Sequence, residues 1–440
     1  MMKGLRWHNP IAITLIILTI GSSFKYFNNV YYGIASEEYL IMGGTSIYFI
    51  EGVLLANVAT LFYVLGYFLF SEKDGDADKY NSLDKSDKKY SAFWILLYYS
   101  MMLSSLVLTV IFMNQMGIID DLMQGNLAVR RYYISEDGVR TSLSFLSIGK
   151  DILFAFALIE MAYRRKLTTL IVVIFSISLL VQMLSGGRTV VFISMLSFLI
   201  LTALVKNMHR NVLIFRNVII ILGISAVAVT TLLRTDGRRN LNDEFNISSL
   251  SEGLSQSLSD FVEGAYSVGY DKLAVIQTEV DERNSYLWGQ SFLLPIIAPV
   301  PRLLWPEKPS VRLGQYVGTD IYKRTNQSGV PPSLPGEFYI NFGWLGVALG
   351  MVILGGIASR VYSRVMRASG DNPYYVVFFS FFTVSVTFTM FVSDFTGGVM
   401  SLLTFSIALF VAHRALGVIL RRTKNKSAHR RPMHAVTSRF

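Results

Sequence analysis

Five side chains stand where chemistry is most readily imagined: Arg188, Arg234, Arg302, Lys308 and Glu337. Arg188 follows Gly186-Gly187 between two apolar runs, and paired glycines let an anion approach the backbone closely. Arg234 closes another apolar run, with Arg238 and Arg239 just beyond it. Arg302 in PVPR and Lys308 in WPEKP are flanked by prolines, whose fixed φ lowers the entropy cost of presenting a cation to a phosphate. Arginine grips two oxygens at once, whereas lysine acts as a point charge. Glu337 in PGEFYINFG sits beside Tyr339 and Asn341 where an apolar run begins, and a half-buried carboxylate there is placed to accept a proton from a hydroxyl. Each has a plainer reading: an arginine snorkelling from a helix end, a solvated cation on a proline plug, a carboxylate set against a helix N-terminus.

The rest of the inventory narrows the chemistry. The chain has no cysteine, which excludes disulfides and thiolate metal sites. Its histidines, His8, His209, His413, His429 and His434, all fall on the side of the topology opposite the candidates. A Ser-His-Asp triad and a His-ligated zinc are therefore not expected beside them, and no organic cofactor is expected. Carboxylates, arginines, lysines and tyrosines remain. That set suits a substrate whose leaving group is already anionic, such as a diphosphate, where the protein neutralises phosphate and positions a hydroxyl.

Something must hold these groups, and composition says what. Hydrophobic residues make up 52% and charged residues 16%, with mean hydropathy +0.45. The net charge of +10 raises the question of nucleic acid. Most of its cations, however, lie in short loops between apolar runs and in the tail, the positive-inside pattern of a membrane protein, so no nucleic-acid partner is expected. The pattern predicts an all-α polytopic bundle of about ten transmembrane helices, long apolar runs of about 20 residues being the membrane-spanning signal. The runs are 11–24, 52–70, 93–116, 143–163, 167–184, 189–205, 218–233, 338–358, 374–392 and 399–420. Residues 71–90 read as a mobile cytoplasmic loop, 234–336 as one large outer loop, and 421–440 as a basic cytoplasmic tail, with both termini inside. Residues 25–51 fit either an outer loop or a re-entrant piece.

Within the outer loop, Leu250, Leu254, Leu258 and Phe261-Val262 recur at helical spacing and predict an amphipathic helix resting on membrane or bundle. Eight of the chain's 11 prolines fall between Pro295 and Pro335. Such a segment cannot be one helix, and beside lipid it persists only packed on protein or lining a wet cavity. Lys150-Asp151, inside the fourth run, predicts an ion pair within the bundle.

Three strings carry a resemblance: SGGRT at 185–189, PRLLWPEKPS at 301–310 and GEFYINFGWLG at 336–346. Together they resemble the oligosaccharide repeat-unit polymerases of the O-antigen polymerase (Wzy-type) family. The resemblance implies a metal-independent glycosyltransferase of the bacterial inner membrane that works on its outer face. Its substrates would be two undecaprenyl-diphosphate-linked oligosaccharides, the growing chain leaving its lipid diphosphate for a hydroxyl of a new repeat unit. The product would be O-antigen, capsule or exopolysaccharide. On that resemblance Arg188, Arg302 and Lys308 would grip diphosphate, Arg234 would join them, and Glu337 would serve as base or position the acceptor. The lipid bilayer, a chain-length regulator and a flippase would be its partners. Two rivals stand beside it. A ligase-type glycan transferase commonly uses an outer-loop histidine, which this chain lacks. A lipid-linked oligosaccharide flippase would call for internal repeats and charges lining a path across the bundle.

Overall fold

The computed structural model describes residues 46–71, 91–124, 146–235, 270–323 and 329–429, apart from short gaps inside these ranges, together with Pro10, Ala12 and Thr14. Among the described residues there is helix and connection but no strand. The principal helices are α1 (Ser46–Leu69), α2 (Ser91–Gln115), α3 (Ile148–Arg164), α4 (Thr169–Leu184), α5 (Arg188–Leu204), α6 (Arg210–Thr235), α7 (Tyr270–Arg283), α8 (Ser333–Arg367), α9 (Pro373–Phe391) and α10 (Phe395–His429). Nine of them coincide with the second to tenth apolar runs, and α7 is additional. The first run, the 71–90 loop, the amphipathic stretch at Leu250 to Val262 and the end of the tail lie essentially outside the described residues.

Helix is the expected answer to these runs, because a segment in lipid must satisfy every backbone group within itself. α1, α2, α8 and α10 are long and apolar enough to cross a bilayer, and α4, α9 and Ile193–Leu204 are shorter apolar helices. Large apolar side chains stay on the outside in stripes, such as Leu345, Leu349, Ile353 and Ile357 on α8. A soluble protein rarely exposes such continuous surface; in a bilayer it faces the acyl chains.

Two large apolar cores and a smaller one around Phe112 and Val181 lie among the described residues. One gathers α3 with α2, α4, α5, α6, α9 and α10, and every residue of α3 from Leu153 to Ala162 is buried. The second gathers α1, α7 and α8, with Phe382 and Val386 of α9 joining it. α1 and α8 pack backbone to backbone. A methyl group at Gly66 would collide with the Val352 backbone, and one at Gly355 with the Tyr63 carbonyl, so only glycine permits this approach.

The contacts also fix which helix ends lie together. Arg360 of α8 stands over the Phe70 ring at 4.7 Å, Trp94 meets Phe410 edge-on at 5.7 Å, and the His209 amide donates to the Arg165 carbonyl at 2.9 Å. Tyr163 hydrogen-bonds His413. These groups, with Arg364 and Arg367, mark one end of the bundle. The first residue of α5, the last turn of α6, the beginning of α8 and the beginning of α10 all lie at the other, the loop end.

α7 lies inside the stretch read from sequence as outer loop, yet its face from Leu273 to Ile276 is buried. It wedges between the starts of α1 and α8, with Gly52 beneath the Tyr270 carbonyl and Gly336 beneath Leu273 and Ile276. That loop therefore contributes a helix to the second core. α8 has 35 residues. At about 1.5 Å per residue the part after Gly343 alone reaches on the order of 35 Å, enough to cross a hydrocarbon core of about 30 Å.

Candidate functional site

The helix α8 breaks at the loop end. Phe342 (φ −143°, ψ 16°) and Gly343 (φ 60°, ψ −149°) are non-helical, and the Gly343 conformation is one that residues with a Cβ avoid. A break of this kind releases carbonyls from the i to i+4 ladder. Two of them are taken up by the connection after α7: the Leu287 amide donates to the Ile340 carbonyl at 3.0 Å and the Trp288 amide to the Asn341 carbonyl at 3.2 Å. The kink is thus the seat on which the 284–300 connection rests.

Glu337 sits one turn before the break, at the centre of a buried polar assembly. Its Oε1 accepts from the Ser291 hydroxyl at 2.7 Å, and its Oε2 accepts from the Phe395 amide at 2.7 Å. The Asn341 side-chain amide donates to Ser291 Oγ at 2.7 Å and to the Glu337 carbonyl at 2.8 Å, while its Oδ1 accepts from the Gly289 amide at 2.9 Å. Phe395 is the first residue of α10, and the Asp394 carboxylate caps the same helix by accepting from the Gly397 amide at 2.7 Å. One carboxylate therefore joins three elements: the connection, α8 and α10. The Phe292 ring covers the assembly, with its centroid 5.6 Å from Phe338, 6.3 Å from Phe342 and 5.1 Å from Phe395.

The sequence reading of Glu337 needs correction on burial. It is not half-buried but completely inaccessible, because Ser291 folds over it from 46 residues away. The helix whose N-terminus it serves is α10 rather than its own. Burying a carboxylate is costly unless its oxygens are satisfied, and here both are. For this carboxylate to meet a substrate hydroxyl, the Ser291 hydroxyl has to give up its place.

Lys308 is also buried, and its ammonium donates to the Ala298 and Val300 carbonyls at 2.8 Å each. It ties the proline-rich segment to the end of the short helix Leu294–Ile297. Arg188 opens α5 and Arg234 lies in the last turn of α6, so their backbones stand at the loop end with Glu337. Their side chains, and all of Arg302, lie outside the described residues. Lys150 pairs with Asp151 at 2.9 Å as expected, near the start of α3.

Sequence reasoning missed three partners. Ser291 completes the assembly of Glu337 with Asn341, Asp394 caps α10, and Asp281 closes α7. The Tyr339 hydroxyl lies 2.9 and 2.8 Å from the two Asp281 oxygens, and the Tyr286 hydroxyl donates to the same carboxylate at 3.2 Å. Burial, and then the neighbouring Asp281 carboxylate, push the Tyr286 phenol above its ordinary range, so it stays a donor. The only signals for these partners were Gly343 at the end of GEFYINFG and the Asp-Phe-Thr-Gly-Gly string at the start of α10. Among the described residues no group of three or more His, Asp or Glu is assembled that could hold a metal ion.

An all-helical, polytopic membrane protein is thereby defined, with its polar assembly at one end over a kinked span. A family model described as O-antigen polysaccharide polymerase Wzy matches residues 7–425, and the chain belongs to that family. It is accordingly a polymerase that joins lipid-linked oligosaccharide repeat units in a membrane. Neither a curated protein nor a solved structure matched it.

Proposed function

We propose that the chain elongates surface polysaccharide on the outer face of the bacterial inner membrane. It transfers a glycan from undecaprenyl diphosphate to a hydroxyl of the next lipid-linked repeat unit, without a metal ion. The observation that carries this reading is the convergence at the loop end. The starts of α5, α8 and α10 and the end of α6 bring Arg188, Arg234 and the Glu337 assembly to one side of the bundle. The positively charged end of α8 is then cytoplasmic.

In this reading Arg188 and Arg302 neutralise the departing diphosphate, with Arg234 assisting. Such preorganised cations act where negative charge accumulates as the glycosidic bond breaks. Lys308 keeps the proline-rich segment in shape beside them. Glu337 fixes the connection against α8 and α10, and it receives the acceptor proton when a sugar hydroxyl replaces that of Ser291. A chain-length regulator and the flippase that delivers the repeat units are the expected partners. Chromosomal deletion with plasmid complementation tests the activity: the surface-glycan ladder should collapse to single-repeat material and return with the wild-type gene. An unchanged ladder in the deletion strain rejects the reading.

A further inference from the structure

A second feature of the loop end lies outside the Glu337 assembly. Trp288 is 72% exposed and its backbone is held at φ 48°. A bulky residue in the left-handed region is disfavoured and persists only where its surroundings impose it. What imposes it here is the hydrogen bond of its amide to Asn341 and the glycine turn that follows at Gly289 (φ 87°). The indole stands edge to face with Tyr286, centroids 5.8 Å apart, and with half-exposed Phe342 at 6.4 Å. Tyr286 in turn donates to Asp281, whose carboxylate is oriented from the other side by Tyr339. An exposed flat ring is thus linked through one phenol, Tyr286, to a carboxylate that accepts from two phenols. Those phenols leave part of the acceptor capacity of Asp281 open to solvent.

We propose that Trp288, Tyr286 and Asp281 form a sugar-binding subsite that takes one pyranose of the glycan, beside the reacting centre. The chemistry is complementary. The C–H face of a pyranose is weakly positive and lies against the negative face of an indole, while neighbouring hydroxyls donate to a fixed carboxylate. An aromatic belt at the membrane interface would also place a tryptophan at this height. It would not require a strained backbone, nor a carboxylate oriented by two hydroxyls.

This inference rests on the polymerase reading, and its test separates the two. The probe is the repeat-unit oligosaccharide released from its lipid by mild acid, titrated into the protein in lipid nanodiscs and followed by saturation-transfer NMR. Wild type should bind saturably. Trp288→Leu and Asp281→Asn should weaken binding at least tenfold, and Trp288→Phe, which keeps a flat face, less than threefold. Thermal unfolding checks that each variant is folded. In elongation assays Trp288→Leu should raise KM for the acceptor with little change in kcat. If Trp288→Leu binds and elongates like wild type, the subsite is refuted and the polymerase reading stands. If wild type fails to elongate but binds the oligosaccharide in a Trp288-dependent way, the polymerase reading fails and the subsite stands.

Discussion

Ser291 and Glu337 are 46 residues apart in sequence and 2.7 Å apart in space, and on that hydrogen bond the connection after α7 meets α8. Glu337→Ala leaves the Ser291 hydroxyl and the Phe395 amide without an acceptor in a closed environment. Each stranded donor costs about 1–3 kcal/mol. Unfolding temperature in detergent should therefore fall clearly for Glu337→Ala and less for Glu337→Gln, which keeps the shape and one acceptor. A Glu337→Ala protein that melts with the wild type would show that the carboxylate holds nothing.

The break in α8 depends on Gly343. At its dihedral angles a Cβ meets the Tyr286 ring only at 3.4 Å, an ordinary contact, so the penalty for Gly343→Ala is conformational. Strain of that kind costs about 1–3 kcal/mol and is relieved by straightening the helix. Straightening would return the Ile340 and Asn341 carbonyls to the ladder of α8. Hydrogen exchange of the Leu287 and Trp288 amides should then accelerate strongly in the variant, with exchange in α3 unchanged. Unaltered protection at both amides would uncouple the kink from the connection.

Much of the fold was legible because a span announces itself by length and apolarity. The runs that became α2, α4 and α9 differ from their helices by only a few residues, and Lys150-Asp151 was recognisable as a pair by adjacency. α7 was not legible, since YDKLAVIQTEVDER is too short and too charged to read as buried. Its burial comes from Gly52 and Gly336, glycines on two distant helices that leave room for it. At the site, the local neighbours of Glu337 were visible but its ligands were not. Ser291 and Phe395 lie 46 and 58 positions away, and nothing in a single sequence states that distance.

Lys308 binds two carbonyls of its own segment, so its removal should loosen that segment before anything else. Limited proteolysis of Lys308→Met in nanodiscs should show new cleavage between residues 294 and 312, while the bundle unfolds at the wild-type temperature. A cleavage pattern identical to wild type would place the ammonium elsewhere in the working protein.

The absence of cysteine makes sidedness directly measurable with single-cysteine reporters. Glu282 and Arg364 are both exposed and stand at opposite ends of the bundle. Glu282→Cys should react with a membrane-impermeant maleimide in spheroplasts, and Arg364→Cys only after permeabilisation. The reverse pattern would turn the loop end toward the cytoplasm and remove the proposed outer-face reaction.

The most direct trial of the whole account is elongation by reconstituted protein supplied with purified undecaprenyl-diphosphate-linked repeat units. Wild type should build a ladder, and Arg188→Ala and Arg302→Ala should each slow it by about 10²–10³-fold, the usual loss when one group stabilising developing negative charge is removed. Either variant elongating at the wild-type rate, at equal protein, would contradict a diphosphate held by these arginines.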